Sequence, residues 1–367
     1  VRVTCPAGHR KAGILAFKKG NNSMPRRKVR VGIIGLGHNG IAHLRAHLSL
    51  GLSEVIALCD RNPERVEKIG REYGINKLYT DESFFAHPEL EAVSINTGDA
   101  FHSDPFITAV GAGKHVLVEK PLANSEEDVL RMIEAAKQAP PGLKIQVGYI
   151  LRFNPVFEEI RRIAAEGRLG RIYYMEADYV HNLLYQATQT DSLTGGNWYL
   201  EHEIPIVGGG SHPLDLLRWI SGKEVSHVFG YSNHEAFPAM KHDDCQVSLF
   251  RFEDGTIAKV SALYAPRCAM PPYYNLRIYG TKGTVERDAV ACAASPEDVH
   301  PPFMPIAAPR GQGHPFEPEI ADWLNAILDD RTPRTPLLDG ASSTMATLVA
   351  ARAMRDGKEA AVPIFRP

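Results

Sequence analysis

The sequence predicts a doubly wound parallel α/β sheet over residues 29–150, followed over 151–367 by an α+β domain on an open, mostly antiparallel sheet. Three observations carry this. Val29 to Leu50 reads as a buried strand, a glycine turn and an amphipathic helix. Strand-like and helix-like runs then alternate as far as Tyr149, the pattern of parallel strands joined by crossover helices. Beyond residue 151, strand-like runs follow one another through tight turns such as Glu253-Asp254-Gly255 and Gly280-Thr281-Lys282-Gly283, which are hairpin connections. A chain of 367 residues also exceeds the usual ~100–200 residues of one domain.

In order, the first strand is the β-branched run from Val29, and Gly35, Gly37 and Gly40 follow at G-x-G-x-x-G spacing with His38 and Asn39 in the turn. Ile41 to Leu50 is the helix. Gly35 permits the sharp turn, Gly37 lets backbone approach a phosphate, and Gly40 lets helix and strand pack closely; the free amides of the helix start favour an anion. A second strand, Glu54 to Cys59, ends in Asp60, 25 residues after Gly35 and near the ~20-residue offset of a ribose-binding carboxylate. Asn62-Pro63 starts a helix to Tyr73, Lys77–Tyr79 is a short strand, and Asp81 caps a small helix. Ala92–Thr97 is the next strand, then a loop with His102, a helix over Pro105–Gly111, a strand at His115–Val118, a helix over Ser125–Gln138 and a strand at Leu143–Tyr149. Ligands of such sheets bind beyond the carboxyl ends of the strands, which puts Gly37, Asp60, Thr97 and Glu119 along one rim.

The second half opens with a helix, Pro155–Glu166, and a strand, Arg171–Val180. Strands are expected at Val225–Tyr231, Asp244–Phe252, Thr256–Ala265, Tyr274–Gly280 and Gly283–Glu286, a Pro- and Ala-rich loop at Ala289–Gly313, and helices at Glu317–Leu328 and Gly340–Arg355. One face of this sheet needs cover, and a second subunit is the common solution.

A net charge of −2 gives no support for nucleic acid or acidic lipid as a partner, and no run reaches the ~18 apolar residues of a membrane helix. Five scattered cysteines without Cys-x-x-Cys spacing suit reduced thiols in a cytoplasm. Residues 1–28 read as a disordered extension ahead of the fold; within it Val1 to Ser23 are basic and precede a start at Met24, the alternative for them being a basic arm contacting a neighbouring subunit.

Two clusters carry chemistry. Glu119-Lys120-Pro121 follows a strand of the first sheet, and Pro121 restricts the residue before it, holding the Lys120 ammonium at the rim. Gly208-Gly209-Gly210-Ser211-His212-Pro213-Leu214-Asp215 enters a helix, with Ser211 as cap, His212 at the helix start and Asp215 one turn on, available to orient His212 or to cap the dipole. His181, His202, His234 and His242 match no compact ligand spacing, and His242 with Cys245 has no second pair, so no metal site is expected.

With GIIGLGHNG, Asp60-Arg61-Asn62-Pro63-Glu64-Arg65, Glu119-Lys120-Pro121-Leu122, Arg152-Phe153-Asn154-Pro155 and GGGSHPLDLLRW, the chain resembles the glucose–fructose oxidoreductase, inositol dehydrogenase and MocA family across nearly all of Arg30 to Ile364. The resemblance implies a nicotinamide-binding Rossmann domain and an α/β domain whose sheet often forms a dimer interface, here a homodimer or homotetramer. It implies oxidation or reduction of a sugar, cyclitol or related polyol. By resemblance Lys120 is the active-site lysine and His212 the active-site histidine. The family often has an aspartate four residues before that histidine, where this chain has Gly208, and a proline after the threonine matching Thr97, where it has Gly98. Lys120 would stabilise charge developing on the reacting oxygen, and His212, at a reference pKa of ~6.5, would exchange a proton near neutrality. Cofactor contacts are expected from Gly35, Gly37, His38, Asn39, Gly40, Asp60, Arg61, Thr97, His102, Glu119 and Lys120. Substrate contacts are expected from Tyr149, Arg152, Asn154, Tyr179, His181, Trp198 and His212. Asp60 favours the free 2′-hydroxyl of NAD, while Arg61 keeps NADP open. Two alternatives stand beside the dehydrogenase: an NAD-dependent glycoside hydrolase or lyase that oxidises its substrate transiently, and a non-catalytic NAD-binding regulator.

Overall fold

The computed structural model describes residues 26–184, 196–267, 274–309 and 314–366. The expected extension therefore lies outside the described residues as far as residue 25; Arg27, near its end, pairs with Glu91 at 2.9 Å. Among the described residues the first layer is β1 (Val29–Ile34), α1 (His38–Leu50), β2 (Ser53–Cys59), α2 (Pro63–Tyr73), β3 (Leu78–Tyr79), β4 (Ala92–Ile95), α3 (Ser103–Gly111), β5 (His115–Glu119), α4 (Glu126–Gln138) and β6 (Ile145–Gly148). Its strands pair in parallel in the order β3-β2-β1-β4-β5-β6, so the sheet winds outward both ways from β1 and leaves a crevice between β1 and β4. Local chemistry sets the helix starts. Asn62 Oδ1 accepts the Arg65 amide at 3.1 Å to cap α2, and Ser125 Oγ accepts the Asp128 amide at 3.1 Å to cap α4. Helix α1 starts at His38, directly after Gly37, three residues earlier than the periodicity placed it.

The second layer comprises α5 (Pro155–Ala165), β7 (Ile172–Val180), α6 (Gly196–Glu201), α7 (Pro205–Gly208), α8 (Ser211–Ser221), β8 (Val225–Asn233), β9 (Cys245–Phe252), β10 (Ile257–Leu263), β11 (Arg277–Gly280), β12 (Gly283–Glu286), β13 (Ala289–Cys292) and β14 (Met304–Pro305). It ends in α9 (Phe316–Leu328), α10 (Leu337–Asp356) and β15 (Ala360–Ala361). The sheet order is β14-β13-β12-β11-β7-β10-β9-β8-β15, antiparallel throughout except for the β7–β10 pair. The stretch expected as a loop over Ala289–Gly313 holds β13 and β14, whose four and two residues are too short to show a period. Residues 310–313 of it lie outside the described set.

Helices pack on one face of this sheet. The other carries Tyr231, Leu249 and Ile257, which are 75%, 50% and 48% exposed, beside the ion pairs of Lys259 with Asp178 and of Arg277 with Glu176. The register places these residues on one side: Val247 faces Tyr231, Leu249 faces Lys259, and Ile257 faces Tyr174. The last helices return to the first layer. In α9, Ile320, Trp323 and Leu324 pack with Val29 and Val31 of β1 and Leu117 of β5, and Trp323 Nε1 donates to the Lys144 carbonyl at 3.1 Å. No helix of the described residues is long and apolar enough to cross a membrane, and Cys59, Cys245 and Cys292 are free thiols.

Candidate active site

A cleft of about 930 Å³ runs along the carboxyl ends of the parallel strands, with Gly37, His38, Asn39, Asp60 and Arg61 at one end and Asp99, Lys120, Tyr179, Glu203 and Tyr264 at the other. At the first end Gly35 has φ +83°, and a Cβ there would lie 2.6 Å from the Asn96 and Thr97 backbone. A Cβ on Gly40 would collide with the Gly35 carbonyl. The turn is thus built only from glycine at both positions. Gly37 precedes α1 with no side-chain cap, and the first turn holds no acidic residue, so the amides at the helix start are open to an anion. Asp60 closes this end. Its carboxylate accepts the Leu36 amide at 2.8 Å and the Asn62 amide at 2.9 Å, with Arg65 at 3.4 Å. Arg61 lies over the Phe101 ring, 5.1 Å from its centroid. A constricted glycine turn, an uncapped helix start and a carboxylate at the end of β2 fit a dinucleotide: the amides would take the pyrophosphate and Asp60 a ribose hydroxyl.

At the other end the Lys120–Pro121 peptide is cis, and Lys120 Nζ donates to the Gly208 carbonyl at 3.2 Å. Glu119 is buried, and its carboxylate meets His43 Nε2 at 3.0 Å and accepts the Lys120 amide at 3.1 Å. Burial works against the Glu119 charge, yet its hydrogen bond to His43 and the His43 and Lys120 charges hold its carboxyl below the usual range. His102 braces the rim, its two ring nitrogens 2.9 Å from the Pro121 carbonyl and 3.0 Å from the Thr97 carbonyl. Asp99 is pushed up to about 8 by burial and then by the Glu203 charge, with Lys120 acting against the rise. Tyr264 donates to Glu203 at 2.5 Å and accepts the Gly209 amide at 2.8 Å.

His212 is 2% exposed and lies behind the cleft wall, its ring stacked on Tyr179 at 6.1 Å. Its Nδ1 is buried with no hydrogen-bond partner. Burial, then the charges of Lys120 and His314, lower it well below the ordinary imidazole value, so the ring is neutral at pH 7. The expectation of a histidine titrating near neutrality is corrected accordingly.

Four further expectations are corrected. Asp215 does not orient His212: its carboxylate accepts Arg152 Nε at 2.8 Å, Arg152 Nη2 at 2.6 Å and the Ser343 hydroxyl at 2.7 Å. Arg152 is accordingly a buried strut, which also reaches Asp339 at 2.5 Å. Tyr149 is buried with its hydroxyl 2.9 Å from Thr344 Oγ1, and Asn154 accepts the Val156 amide at 3.0 Å to cap α5. Arg152 and Tyr149 tie the segment after β6 to α8 and α10, and none of these four residues lines the cleft. Tyr179 lines the cleft, whereas His181, expected beside it, is not part of the lining and stands behind it, its Nδ1 3.0 Å from the Tyr179 hydroxyl. Trp198 lies in α6, and its side chain lies outside the described residues. Three residues were missed: Asp99, Glu203 and Tyr264. The signal available was the triple glycine itself, since a run with no side chains leaves room that neighbours must fill. A Cβ on Gly209 would collide with Tyr179 and lie 2.6 Å from the Tyr264 hydroxyl.

Comparison with known proteins agrees with this geometry. Residues 29–149 match the oxidoreductase family with an NAD-binding Rossmann fold, and residues 157–286 match the GFO/IDH/MocA C-terminal domain. Inositol 2-dehydrogenase 2 of Saccharopolyspora erythraea is 32% identical over 201 residues, covering 54% of this chain and 55% of that protein, so the match spans about half of that relative. Inositol 2-dehydrogenase of Acidothermus cellulolyticus is 26% identical over 347 residues, 92% of this chain and 96% of that protein. A levoglucosan dehydrogenase solved with NADH shares the fold at a TM-score of 0.81 and 23% identity, covering 92% of this chain and 100% of that one. With both halves matched in sequence, and a parallel sheet followed by a mostly antiparallel one as expected, the chain belongs to the GFO/IDH/MocA family of oxidoreductases with an NAD-binding Rossmann fold.

Proposed function

We propose that this protein is an NAD-dependent oxidoreductase that moves a hydride between the nicotinamide and a hydroxyl or keto carbon of a sugar, cyclitol or related polyol. The observation that carries the reading is one continuous cleft joining the glycine turn and Asp60 to Lys120. When bound, the cofactor supplies the hydride acceptor or donor. Gly35, Gly37 and the start of α1 hold its pyrophosphate, and Asp60 takes the ribose. The Lys120 ammonium, held by the Gly208 carbonyl, stabilises negative charge as a substrate hydroxyl loses its proton. Tyr179 walls the polyol site, with His212 behind it. The reacting hydroxyl is thereby enclosed between a cation and an aromatic wall, which suits a polyhydroxylated ring.

The test is absorbance at 340 nm with NAD and NADP in parallel against cyclitols, sugars and sugar acids, with Lys120→Met beside the wild type. Turnover with NAD that falls at least 100-fold in Lys120→Met is expected. Tight NAD binding with no net reduction would move the reading to a hydrolase that recycles its cofactor or to a regulator.

The apolar strip of Tyr231, Leu249 and Ile257 supports a second copy of the chain as the cover of the open sheet face, giving a dimer or tetramer. Leu249→Glu is expected to yield monomers by light scattering; an unchanged mass would sink this interface. The free thiols favour a reducing compartment such as the cytoplasm.

A further inference from the structure

The chain presents Lys120 to its cleft with no carboxylate on the adjoining helix turn, because position 208 is glycine. The space that a side chain at 208 would fill is not empty. A Cβ built on Gly208 would overlap Oε1 of Glu203 and lie 2.7 Å from Oε2. Glu203 reaches this point from the loop between α6 and α7, five residues earlier in sequence. The same glycine binds both partners, since its carbonyl accepts Lys120 Nζ at 3.2 Å while its α-carbon faces the Glu203 carboxylate. Both side chains line the cleft, as does Asp99. Glu203 is buried, and the Tyr264 hydroxyl donates to it at 2.5 Å while accepting the Gly209 amide.

We propose that Glu203 is the catalytic carboxylate of this site, receiving the substrate hydroxyl proton beside Lys120 from a position that glycine at 208 leaves open. The inference rests on the oxidoreductase reading above and deepens it. In the oxidative direction the O–H proton passes to the Glu203 carboxylate. The O–H bonding pair becomes the second carbon–oxygen bond, and the C–H pair leaves as hydride to the nicotinamide. The substrate is oxidised, NAD is reduced, and Glu203 returns its proton to water through the cleft. Three features favour Glu203 for this task. Asp99, which lines the same cleft, is pushed up by burial and then by the Glu203 charge, so it favours its neutral form and does not compete as the proton acceptor. His212 is held neutral and well below the ordinary value, a poor proton acceptor at pH 7. Asp215 is committed to Arg152 and Ser343. Tyr264 is a positioning residue, which fixes one oxygen of Glu203 and leaves the carboxylate aimed across Gly208.

The experiment is an exchange of the carboxylate between positions. Glu203→Gln is expected to lower kcat at least 100-fold while NADH affinity, read by fluorescence titration, stays within threefold. Gly208→Asp in the wild-type background forces two carboxylates into one space and is expected to lower Tm clearly; in the Glu203→Ala background the same substitution is expected to cost little. The double variant Glu203→Ala/Gly208→Asp is expected to regain at least tenfold in kcat over Glu203→Ala. Glu203→Gln with kcat within threefold of wild type would overturn the proposal, as would a Gly208→Asp penalty equal in both backgrounds. If the wild type turns over no polyol, the oxidoreductase reading fails and the proton-transfer role fails with it. The thermal comparison still decides whether Glu203 fills the space at 208.

Discussion

Asp215→Asn separates a structural role from a catalytic one. Arg152 is 1% exposed, and its guanidinium makes three close contacts with carboxylates: two with Asp215, at 2.8 and 2.6 Å, and one with Asp339, at 2.5 Å. The amide keeps the volume of Asp215 but removes its charge and turns an NH₂ group toward a donor. Breaking a buried pair by removing one partner costs about 3–5 kcal/mol, mostly the penalty of a buried charge left without its counter-ion. Asp339 keeps its bond and stands partly in solvent, so the low end applies, about 3 kcal/mol. In a chain of this size that lowers Tm by about 5 °C, since 1 kcal/mol shifts a domain of 150–250 residues by roughly 2–4 °C and larger ones by less. The assay is thermal unfolding by circular dichroism, with kcat measured well below the transition. Tm should fall while kcat stays within threefold. The paired variant Arg152→Met/Asp215→Leu should lose less than the two single changes together, because both charges leave. An unchanged Tm with a tenfold loss of kcat would refute the reasoning and return Asp215 to the active site.

Gly40→Ala forces a methyl into the Gly35 carbonyl, so NADH affinity should fall at least tenfold by fluorescence titration; unaltered affinity would show that the turn relaxes at little cost. Asp99 has a folded value of about 8 against 3.8 for an ordinary aspartate, so its neutral form's stabilisation is fully present below about pH 4 and is lost as pH rises to about 8. Asp99→Asn should remove that loss. The stability advantage of the variant over wild type should grow between pH 4 and 8, at a ceiling of about 1.4 kcal/mol per pH unit; parallel pH profiles by urea unfolding would count against the raised value.

The cofactor end of the site was legible because its determinants are local. Gly35, Gly37, Gly40 and Asp60 act through the backbone of one strand–turn–helix–strand run, and their spacing alone carries the geometry. Lys120 was legible for a related reason: the ends of parallel strands share one rim. The substrate end was misread where polarity stood in for position. Arg152, Asn154 and Tyr149 are the polar and aromatic residues a polyol pocket needs, but they follow β6 in a turn that packs against α8 and α10. There a buried guanidinium finds Asp215 and Asp339, contacts far removed in sequence. Glu203 was missed for the converse reason. It belongs to no periodic element, and its link to Lys120, 83 residues away, exists only through the space left at Gly208. An absent side chain in sequence is a void in space, and a void is read only when its neighbours are known.

The return of α9 onto β1 bears on how the chain is made. Val29 and Val31 lie against Ile320, Trp323 and Leu324, so β1, once it leaves the ribosome, waits for about 290 residues before this face is covered. At roughly 5–20 residues per second that interval is about 15–60 seconds. The dinucleotide domain is consequently not a self-sufficient unit despite its continuous sequence. Cut after residue 150, it would present a strip of valine, leucine and alanine that the full chain seals with its own distant helix. Synthesis therefore carries this exposed sheet face until α9 has been made, which makes α9 a determinant of solubility for the dinucleotide domain.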